Sequence, residues 1–212
     1  IDETSANVES YSTSNGWYNY HSGSFEASYE IDSLRLVSGP FGLWAGGGHT
    51  PNQKQVVATS PLDESPLYHY SNFDRSRNRW SSIDGGIDYQ RSFPVKDRLL
   101  TLSYKINSNP SDDEDEYVYH DIDGVAAWQD YLHMLKDQRH EQDGNSLEQT
   151  FQIDYTTPFA KIHTLEAGLK YIMRDNHSND DRYTREALSA ADYAYDEANS
   201  SHYKHTNDIF AG

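Results

Sequence analysis

Apolar and polar side chains alternate one for one along several stretches of this chain, and the stretches come in pairs. Residues 81–93 place Ile83, Gly85, Ile87 and Tyr89 on one face and Asp84, Gly86, Asp88 and Gln90 on the other. Residues 98–107 follow after a turn at Pro94–Asp97, with Leu100, Leu102, Tyr104 and Ile106 opposite Thr101, Ser103, Lys105 and Asn107. A second pair covers 150–155 (Phe151, Ile153 and Tyr155 against Gln152 and Asp154) and 164–174 (Leu165, Ala167, Leu169, Tyr171 and Met173 against Glu166, Gly168, Lys170, Ile172 and Arg174), joined by a turn at Pro158–His163. A third runs over 20–32, with Phe25, Ala27, Tyr29 and Ile31 on one face, then a tight Asp32-Ser33 turn and a strand over 34–46. Residues 207–212 read as the start of a seventh strand. A period of two over such lengths marks β-strands with one wet face and one apolar face. Ser38-Gly39-Pro40 predicts a bulge, because proline cannot donate to the ladder.

The pairs are joined tightly, whereas the pairs themselves are separated by the polar excursions 47–78, 109–148 and 175–206. Short turns at one end and long hydrophilic excursions at the other are the pattern of a membrane-spanning β-barrel. Ten residues tilted by roughly 45° climb about 23 Å, close to the ~25 Å apolar height of such barrels. The expected fold is therefore all-β: an antiparallel, up-and-down transmembrane β-barrel, partial, with about seven strands, residues 1–212 forming one barrel segment. Both chain ends read as cut, with no plug or N-terminal domain in this sequence. The rival reading is a soluble secreted β-sandwich that binds glycans, since alternation also suits a sheet with one packed face. Irregular loops of thirty residues are uncommon in sandwiches, which favours the barrel.

Composition fits the barrel reading. Mean hydropathy is −0.89, yet 17 Tyr, 7 Phe and 4 Trp bring aromatics to 13%, far above a disordered chain. A barrel reconciles the two, because only alternate residues meet lipid. No apolar run reaches the length of a transmembrane helix. Cysteine is absent, which removes disulfides and thiolate metal sites. The net charge of −17 repels phosphate backbones, so nucleic acid is not an expected partner. Within 109–148, 12 acidic residues face only Lys136 and Arg139.

That excursion holds the candidate binding residues Asp112, Asp113, Asp115 and Trp128. The run Asp112–Glu116 offers carboxylates to a hard cation; the plainer reading is a solvated loop kept extended by like charges. His120–Gly124 lacks the distal glutamate of a calcium loop. His133/His140 and His202/His205 have no third zinc ligand at a telling distance. Residues 125–135 carry Val125, Trp128, Leu132 and Leu135 at helical spacing. Gly46-Gly47-Gly48 is not followed by the Lys-Ser/Thr of a phosphate loop. No paired acid and base stands out, so neither an enzyme nor a cofactor is expected. Tyr18, Tyr20, Tyr89, Tyr104, Tyr155 and Tyr171 read as interfacial girdles.

Residues 149–176, and with them 33–42 and the pair 85–93/99–107, resemble the barrel strands of TonB-dependent outer-membrane receptors. More narrowly, they resemble the outer membrane protein β-barrel family. The resemblance implies an outer-membrane transporter whose loops take up a nutrient such as a metal chelate or an oligosaccharide. A plug and the TonB complex would act through parts outside this chain. On the barrel reading, alternation turns Asp84, Asp88, Lys105, Asp154, Glu166, Lys170 and Arg174 toward the lumen. Ile87, Tyr89, Leu100, Leu102, Tyr104, Ile153, Leu165, Leu169 and Tyr171 then face outer-membrane lipid. A passive porin is a further alternative.

Overall fold

A computed structural model describes residues 5–159 and 163–212. It is a single antiparallel sheet in which each strand pairs with the next along the chain. Asn7–Ser14 and Trp17–Asp32 together form β1, because both pair with the following strand in one unbroken register (Ser14 opposite Asn52, Trp17 opposite His49). The short interruption falls where Asn15 faces Pro51, whose carbonyl still accepts from the Asn15 N–H. Arg35–Thr59 is β2 and Pro66–Ser92 is β3. Leu99–Ser108 and Ser111–Gly124 form β4, again in one register across Asn109-Pro110. Lys136–Phe159 is β5, His163–Glu186 is β6 and Ser201–Ala211 is β7. The seven strands expected from the sequence are present. The turn expected at Pro158–His163 lies partly outside the described residues.

Register shows that the assigned faces are real. In an antiparallel ladder, directly opposed residues share a face. The pairings align Tyr29, Val37, Tyr89, Leu102, Ile153 and Leu169 in one row across six strands. The adjoining same-face row holds Tyr104, Phe151, Tyr171 and Phe210 beside Ile87. The opposite face carries Asp88, Ser103, Gln152 and Lys170 in one row and Asp84, Asn107, Glu148 and Arg174 in another. Every residue assigned above to lipid or lumen falls on its expected face. The apolar rows are uncovered: Tyr29, Ile87, Ile153, Leu169 and Phe210 are all exposed. Among the described residues the buried apolar cluster is confined to Val56, Ala58, Tyr68 and Leu132, far from this band. A sandwich would bury the band beneath a second sheet, so the sandwich reading is overturned.

The polar excursions differ in form from expectation. Most of 47–78, 109–148 and 175–206 is strand, because β2 to β6 continue past the apolar band without a register break over most of their length. The longest, β3, has 27 residues, about 90 Å of extended chain. The band uses about nine residues of each strand, so the remainder rises as a wall some 40 Å above it. The long strands end at the tips 60–65, 125–135 and 187–200; the second tip holds a short helix and the third a two-residue strand, Ala194–Tyr195, paired with Thr184 and Tyr183. The expected bulge at Ser38–Pro40 is absent: Ser38 pairs with Asp88 and Phe41 with Gly85 in the same register. Bulges occur instead beside Asp32, Thr59 and between His69 and Ser71, where Asp121 on the facing strand takes a positive φ of 53°.

Candidate functional site: the wall above the apolar band

Above the band both faces of the wall are polar, and alternation decides what each residue meets. Asp112, Glu114 and Glu116 of β4 share a face and register with Arg79, Arg77 and Arg75 of β3. The ion pairs close to 3.0 Å at Arg79–Asp112, 4.0 Å at Arg77–Glu114 and 3.6 Å at Arg75–Glu116. Arg139 of β5 reaches Glu114 at 3.7 Å and pairs closely with Glu141 on its own strand. Exposed pairs of this kind contribute at most about 1 kcal/mol each. The acidic run is part of an interior strand, paired on both sides, and not a loop. Asp112 and Asp113 point to opposite faces, so the five consecutive carboxylates cannot converge on one cation. Among the described residues no group of three His, Asp or Glu is placed to hold a metal ion.

Asp113 and Asp115 lie on the lumen-side face. There His140 stands between two carboxylates, Nδ1 3.7 Å from Asp115 and Nε2 3.0 Å from Asp180, and Arg182 holds Asp180 at 3.1 Å. Hydrogen bonds from Arg182 hold the Asp180 carboxyl below its ordinary range. Asp113 has no arginine partner among the described residues: burial first, then Asp115 and Asp112, push its carboxyl up against a smaller opposing pull from His140. A carboxyl whose folded-state pKa is raised penalises folding above that pKa, and the penalty fades below the unfolded value near 3.9. Asp113→Asn is thus expected to raise stability at pH 7 by less than about 1 kcal/mol, with no gain at pH 3. Denaturation midpoints of both proteins at the two pH values check this.

His202 and His205 sit three apart on β7, hence on opposite faces; His202 contacts Asp181 at 2.9 Å. His133 ends the short helix α1 (Gln129–His133), while His140 is on β5. None of these histidines forms the zinc pair considered from sequence.

Aromatic groups occupy the lumen-side face. Tyr20, Trp44 and Trp80 meet across β1, β2 and β3, with ring centroids 6.2 Å (Tyr20–Trp44) and 6.0 Å (Tyr20–Trp80) apart. Gly46, directly opposite both Tyr20 and Trp80, makes the cluster possible: a Cβ there would lie 2.8 Å from the Trp80 ring. Tyr18 and Tyr20 therefore belong to the wall's inner surface and not to a lipid girdle. Tyr89, Tyr104, Tyr155 and Tyr171 do lie on the apolar face.

At the tip, Ala126–Trp128 forms a 3₁₀ turn leading into α1, which bears out the helical spacing of 125–135. Trp128 and Tyr131 pack on Tyr68 at 5.0 and 5.3 Å, closing the small core over Val56 and Ala58. Trp128 is thus a packing residue of the tip, distant along the wall from Asp112. Burial pushes the Tyr119 hydroxyl up. Where β4 and β5 part, Asp137 is buried and takes the place of a ladder partner. Its Oδ1 accepts from the Tyr119 N–H at 2.8 Å, and Oδ2 accepts from Arg185 Nε and Nη2 at 3.0 and 2.6 Å. Arg185 also lies 4.4 Å over the Tyr193 ring, tying down the 187–200 segment.

The four sequence candidates do not form one site. The arginine row, Trp44, Trp80 and Asp137 were not singled out from sequence. The arginines had a readable signal, since Arg75, Arg77 and Arg79 recur at the strand period of two. What the wall presents chemically is aromatic faces, amides and carboxylates. Residues 91–212 match the family described as "Outer membrane protein beta-barrel family", more than half of the chain. No curated protein matches the chain.

Proposed function

The chain belongs to the outer membrane protein beta-barrel family, and from that membership we propose that it forms part of the wall of a TonB-dependent receptor that takes up a nutrient across the outer membrane. Its role is transport and not catalysis. The carrying observation is the height of the wall: strands run some 40 Å beyond the bilayer with aromatic and charged side chains on the lumen side. A surface of that size suits capture of a ligand larger than a hydrated ion. The resemblance of 149–176 to receptor barrels supports the same reading. Cargo of the expected kinds, a metal chelate or an oligosaccharide, would meet Trp44, Trp80 and Tyr20 at the base of the wall.

Uptake tests the proposal. Cells producing the full-length protein are given a panel of labelled ferric chelates and oligosaccharides, with and without a functional TonB complex. Energy-dependent accumulation that vanishes without TonB is the expected result. Accumulation that continues unchanged identifies a passive pore and sinks the receptor reading.

A further inference from the structure

On the outward face, just above the last apolar row (Gly23–Leu43–Ile83), β1, β2 and β3 form a shallow groove of about 550 Å³. Its floor is small, with Ala45 and Gly47, and its sides are Trp17, Asn19 and His21 on β1 and Arg77 and Arg79 on β3. Outward-facing positions at 17–23 and 43–51 hold no acidic side chain. The partners of the arginines all lie on the other side, on β4, and only Arg79 hydrogen-bonds its carboxylate closely. Arg77 makes no side-chain hydrogen bond among the described residues, and the two arginine side chains are 52% and 70% exposed. Between Trp17 and Arg77 in the same row stands His49, whose Nδ1 is shielded from solvent and has no hydrogen-bond partner among the described residues.

We propose that this groove binds a phosphorylated headgroup of the outer-leaflet lipid, with Arg77 and Arg79 holding one phosphate. Strand geometry places same-face residues two apart at about 6.7 Å, a spacing from which two guanidinium forks close on a single phosphate. Each row climbs about 5 Å on a tilted strand, so Arg79 and Arg77 stand roughly 9 and 14 Å above the last apolar row. Their long side chains bend toward the membrane from there, and Trp17 sits where indoles favour the interface. On β5 and β6 at the height of the two arginines the outward face carries Asp143, Glu141 and Asp181, which would repel phosphate. That charge division favours a site on β1–β3. Of the functional reading, the inference needs only the outer-membrane setting given by the family and is independent of TonB coupling.

The test measures the effect of lipid A on the thermal midpoint of the full-length protein in detergent micelles, beside dephosphorylated lipid A and inorganic phosphate. Heat-modifiable migration on gels shows that each variant is folded. Lipid A is expected to raise the midpoint, and the other two are expected to leave it unchanged. Arg77→Gln/Arg79→Gln should weaken the apparent affinity at least tenfold. Ala45→Glu should do the same without touching the ion-pair ladder, by placing a carboxylate on the groove floor. Asp112→Asn/Glu114→Gln breaks the same ion pairs yet keeps the arginines, and should bind at least as tightly as wild type. Equal binding by the double arginine variant, an equal response to dephosphorylated lipid A or to phosphate, or loss of binding in the Asp112/Glu114 variant would each overturn the proposal.

Discussion

Leu102→Arg is expected to destabilise the folded protein in a bilayer by about 2–4 kcal/mol, the cost of a guanidinium near the midplane of a barrel's lipid face. Leu102 lies in the middle of the apolar rows, flanked across the sheet by Tyr89 and Ile153, and nothing in the protein covers it. Thr101→Arg moves the same charge by one residue. Thr101 pairs with Gln90 and Asp154 on the opposite face, where the guanidinium finds water and a carboxylate, so its cost should stay below about 1 kcal/mol. The pair cancels effects of strand propensity and side-chain volume, since both variants place arginine in the same ladder. Reversible urea unfolding in lipid vesicles measures the difference. Equal costs would mean that hydrocarbon does not lie against the Leu102 face.

The membrane-spanning part was legible because lipid imposes the strictest alternation a strand can show. Ile83 to Tyr89, Leu100 to Ile106 and Leu165 to Met173 could be assigned to a face with no structure, and the registers place each where alternation puts it. The wall was not legible as strand for the converse reason. Past Ile83 and Ile106 both faces of the sheet are wet, so apolar periodicity stops although the ladder continues. Pro51 and Pro110 both lie within the continuing ladder. In the sheet each costs one donor and no register, and the Pro110 carbonyl still accepts from the Ser81 N–H at 2.9 Å.

The candidate residues fared according to whether their partners were local. Asp112, Asp113 and Asp115 drew notice as a charge run, but their partners lie on β3 and β5, distant in sequence in either direction. There a period-two strand sends Asp112 to Arg79 and Asp115 to His140. Only the registers bring those partners together. Trp128, by contrast, was found through helical spacing within its own segment, and the short helix is where that spacing puts it.

Asp137→Ala should cost about 3–5 kcal/mol, because it removes one member of a buried ion pair and leaves the other with its charge uncompensated. Asp137 is 1% exposed and its partner Arg185 23%. The hydrogen bond from Arg185 to Asp137 is the main reason that its guanidinium holds its proton more tightly than usual. The substitution also strands the Tyr119 N–H, the first amide beyond the end of the β4–β5 ladder at Tyr117–Gln138. Damage should be local, since the apolar band does not depend on the tip. The 187–200 segment, tied through Arg185 and Tyr193, should open to protease, and the Tyr119 amide should lose its protection against hydrogen exchange. Asp137→Asn keeps an acceptor for Tyr119 and loses only the charge, so it should fall between wild type and alanine. Asp137→Ala/Arg185→Ala removes both charges and should cost less than the sum of the two single changes, because no unpaired ion remains. Strict additivity in that cycle would show that the two side chains act separately, and the latch between β5 and β6 would have to be sought elsewhere.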